Sequence, residues 1–478
     1  MDRDIFCVAT DRLTVHRMAL YGGYNIFPNI DKIAKGGTIF KHPVACSAST
    51  LSCHACEWTG LNPWEIHDDL QIPYENRNYD LPIAVKESMF TDLISQGYDV
   101  NLVFMHKPNK YFPNSYQQII SIFQNTSTKV HCIPEWDTPE GFGVNRIKHI
   151  MYCAGIIENN RKLGKKTFVW TKIAGMYQSQ NPDKSMIHLG HIYHNYANQT
   201  RVTRDDVWQC AVDEGLGKFL DQFDYGKSTS TCPEVIFSSD HGAWYGERGN
   251  VYYGYDLHEE IIRVPLISSY GTNSDGTRVA ENVKPTMINE PFSMRKFRDF
   301  IVENYRPDKD KEEFIYAETL FPGQVAAAPG QKYSKAKSSV RWGKYKYIYN
   351  PFGEDGMSKN ATEELYDIDY DPYEKFNLAR YNNEWFDCSR TDPTVACDGK
   401  SGLRFCDVLS RFHSDISIVT SKIDPPAAAH SVKKNPNESG SGERTGWLEV
   451  SEVLNILRQK IKALWCRTGR ESFYRPIQ

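Results

Sequence analysis

The 478-residue sequence predicts an α/β protein: a large, mostly parallel sheet flanked by helices, with a smaller C-terminal α+β subdomain. Two observations carry this. Short apolar runs that do not alternate with polar residues recur between helix-length stretches, the pattern of strands buried on both faces of a parallel sheet. After about residue 270 the texture changes to aromatic-rich β segments punctuated by Pro and Gly, which sets off a second unit.

In chain order, residues 5–10, 100–105, 168–173, 235–238 and 264–268 read as the sheet strands. Residues 29–36, 90–96 and 205–223 read as helices between them; in the last, Val207, Cys210, Ala211, Leu216, Phe219 and Leu220 approximate one apolar face. Phe321-Pro322-Gly323 and Pro329-Gly330 mark a loop, and Val340 through Tyr349 reads as β structure. Residues 425–446 have linker composition. Beyond them, Val450, Val453, Leu454, Leu457, Ile461 and Leu464 fall at helical spacing within 447–465, marking a docking helix or a contact of a homo-oligomer. The expected division is a catalytic α/β domain over 1–270, a C-terminal subdomain over 271–385, and an extension over 386–478 that holds the linker and the terminal helix.

A net charge of −4, a pI near 6.4 and 40% hydrophobic residues describe a folded chain rather than a disordered one. No Lys/Arg run marks nucleic acid as a partner. The start, Met1-Asp2-Arg3-Asp4, lacks the basic and apolar regions of a signal peptide, and no apolar run reaches membrane-spanning length, so the expectation is a cytoplasmic protein without a membrane span. Twelve irregularly spaced cysteines fit a reducing compartment; Cys388, Cys397 and Cys406 would tie a loop only after export.

Asp11 directly follows the first strand, and Asp240-His241-Gly242 follows the strand at 235–238. In an open α/β sheet the C-terminal strand ends line the ligand crevice. Two carboxylates and an imidazole delivered there suit one divalent cation, Mn²⁺, Ca²⁺, Mg²⁺ or Zn²⁺. An Asp after a strand equally caps the next helix, so Asp11 alone decides nothing. Cys53-His54-Ala55-Cys56 has the spacing of a redox or zinc pair, but no second pair lies nearby, and packing is the plainer reading.

Four blocks in order resemble the sulfatase family of the alkaline phosphatase superfamily. They are Asp11-Arg12-Leu13 through Gly37-Thr38-Ile39-Phe40; Thr50 through Thr59-Gly60; Asp240-His241-Gly242 with Arg263-Val264-Pro265; and Leu365-Tyr366-Asp367 with Asp371-Pro372 and Asn377-Leu378-Ala379. The resemblance spans roughly residues 4–380. It implies a sulfatase-like fold, a metal set of Asp11, Thr50, Asp240 and His241, and Thr50 as nucleophile. Leu51-Ser52-Cys53-His54 lacks the oxidisable residue, Pro and Arg of the formylglycine motif; Thr50 looks instead like the phosphodiesterase and phosphotransferase branches. His54 stands in the place of the family's Arg, and Lys172 about where the family has a substrate-facing His or Lys. Departures are Thr10 for a second Asp, Thr14 for an Arg and His16 for an Asp, with His258 displaced from the Lys or His expected before the Val-Pro-Leu strand. His188, His191 and His194 read as ordinary surface or core histidines.

The resemblance thus implies a metal-dependent hydrolase or transferase that acts on a small-molecule or glycan-linked phosphate ester through Thr50 and a covalent intermediate. The alternatives are sulfate-ester hydrolysis without formylglycine and an inactive, sulfatase-like binding protein. The aromatic stretch Trp244-Tyr245 and Val251 to Tyr255 fits either stacking on a substrate ring or core packing.

Overall fold

The structure, a computed structural model, describes residues 3–63, 65, 87–104, 127–133, 142–173, 204–227, 230–245, 251–254, 256–269, 286–307, 314–319, 337–350, 361–381 and 450–467. The 321–330 loop, the 425–446 linker, Cys388, Cys397, Cys406, His188, His191 and His194 lie outside the described residues.

The chain runs β1 (Ile5–Thr10), α1 (Pro28–Lys35), β2 (Thr38–Val44), α2 (Thr50–Thr59), α3 (Met89–Ser95), β3 (Tyr98–Phe104), β4 (Lys129–Cys132), α4 (Phe142–Lys162), β5 (Lys166–Ile173), α5 (Arg204–Gln222) and β6 (Glu234–Ser239). There follow β7 (Trp244–Tyr245), β8 (Val251–Tyr252), α6 (Glu259–Ile262), β9 (Leu266–Ser268), β10 (Thr286–Ser293) and α7 (Phe297–Glu303). The rest comprises β11 (Phe314–Glu318), β12 (Ser338–Trp342), β13 (Tyr345–Asn350), β14 (Thr362–Asp367) and α8 (Val450–Arg467).

Eight strands form the large sheet in the order β10-β2-β9-β6-β1-β5-β3-β4. Every pairing is parallel except those of β9, which runs antiparallel between β2 and β6. The 264–268 run therefore supplies a shorter strand than its composition suggests, because Pro265 has no N–H to give a ladder. Side chains alternate as the pleat requires. Ile5, Cys7 and Ala9 of β1 pack on the side covered by α2, α3 and α7. Phe6 and Val8 face α1, α4 and α5, where Phe6 stacks on Phe219 at 4.4 Å between ring centroids. The central register sets Ala9 beside Lys172 and Thr10 beside both Ile173 and Ser239, so β5, β1 and β6 end together. That edge carries the residues singled out in the sequence.

The second sheet, β11-β12-β13-β14, is antiparallel throughout. Helix α8 docks on it within the chain: Val453, Leu454, Leu457 and Ile461 are buried against Val340, Tyr347, Tyr349 and Leu365. The Arg458 guanidinium grips both carboxylate oxygens of Glu363, with Nε 2.8 Å from Oε2. A buried ionic cluster links this sheet to α6. Lys346 Nζ lies 3.0 Å from Glu259 and 2.8 Å from Glu374, and Arg341 lies 3.5 Å from Glu259. The Glu259 N–H donates to Glu374 at 2.6 Å.

Candidate active site

Asp11 and Asp240 leave the ends of adjacent strands, and Ser239 ties their loops together. Its hydroxyl accepts from Leu13 N–H at 3.0 Å and lies 3.0 Å from the His241 carbonyl. Helix α5 braces the first loop, with Gln209 donating to the Asp11 carbonyl at 3.2 Å. Gly242 holds the second: its N–H donates to the Ile261 carbonyl of α6 at 2.6 Å, and a Cβ there would stand 2.0 Å from the Glu260 carbonyl oxygen. Only a residue without a side chain permits that approach.

Donor atoms of Asp11, Asp240 and His241 all lie within 4.8 Å of one another, in the one group of this kind among the described residues. His241 Nδ1 donates to the Gly242 carbonyl at 2.8 Å. This fixes the proton on Nδ1 and leaves the Nε2 lone pair facing the centre. Thr50 Oγ1 lies 3.0 Å from that Nε2. Thr50 is the first residue of α2, and Ser49 is the N-cap with extended backbone. The threonine is therefore not the cap, and its hydroxyl sits where the helix dipole favours negative charge. Two carboxylates, an imidazole lone pair and a hydroxyl converging on one point fit a divalent cation.

Lys172 reaches the same point from β5. Its Nζ lies 2.5 Å from Asp240 Oδ2, 3.2 Å from the Thr10 carbonyl and 3.6 Å from Asp11 Oδ1. His54 comes in behind Asp240, fully buried, with Nε2 at 4.0 Å from Asp240 Oδ2. Nδ1 of His54 is 2.9 Å from Glu57 Oε2, and its ring stacks on Trp58 and meets the edge of Trp170. A histidine so enclosed has no path to an ester; it lies behind the Asp240 carboxylate. Burial, then the Lys172 charge, drives the His54 pKa well below the usual imidazole range. Burial, then the Asp240 charge, drives Glu57 well above the carboxylate range. For Asp240 burial pushes upward, but its positive surroundings, His241 and then Lys172, outweigh it and hold the carboxyl low.

Thr14 and His16 serve the fold rather than the site. Thr14 Oγ1 donates to the Arg263 carbonyl at 3.1 Å, and His16 is enclosed near Tyr373 with its pKa lowered to about 4 by burial. His258 is held by Asp256 at 2.8 Å and Glu364 at 3.0 Å. Cys53, Cys56 and Trp244 are core. Tyr253 stands over the centre, its ring centroid 4.3 Å from that of His241. Sequence reasoning missed Glu57 and Arg12. Glu57 follows His54 by three residues on a helix, a spacing that puts both on one face. Arg12 adjoins a ligand residue, and its side chain contacts Asp11 Oδ2 at 3.3 Å.

Residues 3–288 match the family model described as Sulfatase. No curated protein sequence matches the chain. Solved structures share the fold at low identity. A Bacteroides thetaiotaomicron protein from work on the metabolism of multiple glycosaminoglycans is 16% identical, with TM-score 0.54 over 80% of this chain and 96% of its own. A second protein of that organism from the same work is 13% identical, with TM-score 0.53 over 80% and 93%. The phosphonate monoester hydrolase of Agrobacterium radiobacter is 14% identical, with TM-score 0.51 over 79% and 92%.

Proposed function

The chain belongs to the sulfatase family, hydrolases of the alkaline phosphatase superfamily, and from that premise we propose that it cleaves or transfers a phosphoester group through Thr50. The observation that carries this is the Thr50 hydroxyl at the start of α2, 3.0 Å from His241 Nε2, in a helix without the formylglycine motif. Thr50 Oγ1 gives up its proton and attacks phosphorus as the ester oxygen leaves, giving phospho-Thr50 and the free alcohol, whose oxygen takes up that proton. Water or an acceptor alcohol then breaks the new bond and returns a proton to Thr50. Asp11, Asp240, His241 and Thr50 would hold one divalent cation, Mn²⁺, Ca²⁺, Mg²⁺ or Zn²⁺. When bound, such a cation favours the threonine alkoxide and offsets charge on the phosphoryl oxygens. Lys172 neutralises Asp240 and borders the phosphoryl site, while the His241 N–H, donating to Asp240 Oδ1 at 2.9 Å, keeps the carboxylate in place.

Sulfate-ester hydrolysis is the second reading, favoured by the family itself; a small-molecule or glycan-linked ester suits both. The test is turnover of aryl phosphate, aryl phosphodiester and aryl sulfate by Mn²⁺-loaded protein beside Thr50→Ala. Metal-dependent phosphoester turnover, lowered about a thousandfold or more in the variant, is expected. Turnover of sulfate ester alone, or of no ester with no metal bound, refutes the proposal.

A further inference from the structure

Arg12 has a left-handed backbone, φ 60°, which costs a side-chain-bearing residue about 1 kcal/mol and is kept only where the surroundings enforce it. In that conformation its N–H points at Asp240 Oδ1 at 3.4 Å, and its side chain folds back on Asp11 Oδ2 at 3.3 Å. The guanidinium also lies over Tyr253, 5.9 Å from the ring centroid. Of the charged side chains around the centre it is the most exposed, at 14% against 9% for Asp11, 2% for Lys172 and 0% for Asp240. Asp11 presents its other oxygen, Oδ1, to His241 and Lys172. Arg12 therefore flanks the cation position from the open side without occupying it.

The charges have a sum. The carboxylates of Asp11 and Asp240 meet the ammonium of Lys172 and the guanidinium of Arg12, and these four cancel. The His54–Glu57 pair adds nothing, whichever partner carries the proton. One divalent cation then leaves the centre, as substrate arrives and Thr50 still carries its proton, two positive charges in excess. A phosphate monoester is a dianion above its second pKa of about 6, whereas phosphodiesters and sulfate esters are monoanions. A guanidinium fork also matches two phosphate oxygens at once, as an ammonium does not.

We propose that Arg12 is a substrate-binding residue that grips the non-bridging oxygens of a dianionic phosphate monoester and sets a preference for monoesters over phosphodiesters and sulfate esters. This rests on the phosphoester reading above. The test uses full-length, Mn²⁺-loaded protein at pH 8 with p-nitrophenyl phosphate, methyl p-nitrophenyl phosphate and p-nitrophenyl sulfate. Arg12→Gly relieves the left-handed strain and so preserves folding, and Arg12→Lys keeps the charge without the fork. Arg12→Gly is expected to lose about ten- to a hundredfold in kcat/KM on the monoester, mainly through KM, and less than about threefold on the diester, with Arg12→Lys between. Calorimetry with inorganic phosphate should give the same ten- to hundredfold loss, while Mn²⁺ affinity stays within about threefold. Equal losses on monoester and diester, unchanged phosphate affinity, no phosphate binding by the wild type, or a matching loss of Mn²⁺ would each overturn the role of Arg12. Absence of all ester turnover alongside Arg12-dependent phosphate binding would instead sink the Thr50 reaction and leave this site standing.

Discussion

Lys346→Met is the sharpest probe of how the second sheet supports the centre. Lys346 is fully buried and bridges Glu259 and Glu374 at 3.0 and 2.8 Å. Methionine nearly matches its volume, so a cavity is not the cause of any loss. Removing one partner of a buried ion pair costs about 3–5 kcal/mol, because the remaining charge is left desolvated. Glu259 keeps Arg341 at 3.5 Å and Arg263 at 4.0 Å, and Glu374 keeps the Glu259 N–H at 2.6 Å. These contacts place the expected cost at the low end, about 3 kcal/mol. Urea unfolding followed by tryptophan fluorescence measures it as a shift in midpoint at constant slope. Adding Glu374→Gln should recover part of the loss, since it neutralises the other carboxylate of the bridge while its amide oxygen can still accept the Glu259 N–H. A single-variant cost below about 1 kcal/mol, or a double variant destabilised by the full sum of both changes, would show that these charges are not the desolvated, interdependent set described.

His258 gives a pH signature. Burial alone would lower its pKa, but Asp256, then Glu364, outweigh that and raise it from the ordinary 6.5 to about 10. Its contribution is therefore complete below about pH 6.5 and is lost as pH rises through 10. Melting temperature should fall across that window in the wild type more steeply than in His258→Gln; parallel curves would refute the ion pairing. Gly242→Ala would force a Cβ to within 2.0 Å of the Glu260 carbonyl oxygen, so a loss of about 2–3 kcal/mol and of ester turnover is expected. An unshifted melting temperature would show that the loop yields freely.

The sequence made the strand ends legible because β1 and β6 are unbroken apolar runs, and the residue after such a run must emerge at the sheet edge. Asp11 and Asp240 follow from that directly. Strand β2 was read only as part of a motif, because Lys41, His42 and Pro43 interrupt its apolar pattern. The helix α4 passed unread because its buried Ile150, Cys153, Ala154 and Ile157 are dispersed among charged and amide residues. Side-chain partners are less legible still. Lys172 and Asp240 are distant in sequence, and only the shared register of β5, β1 and β6 brings them together.

That meeting changes what Thr10 means. Where the family usually has a second Asp, Thr10 turns its hydroxyl toward the Ser238 carbonyl at 3.5 Å, while its own carbonyl accepts from Lys172. A third carboxylate is missing at the place where an ammonium contacts the other two. Thr10 in place of an Asp and the ammonium of Lys172 act in the same direction: each makes the site less negative, and two carboxylates beside a lysine leave little charge to hold a second divalent ion. The positive charge needed to bind and neutralise a phosphoryl group must then come from the protein as much as from the metal. On the phosphoester reading proposed above, Lys172 would supply it from β5 and Arg12 from the rim. Reverting Thr10 to Asp while Lys172 remains is therefore expected to build an ion pair rather than a second metal position.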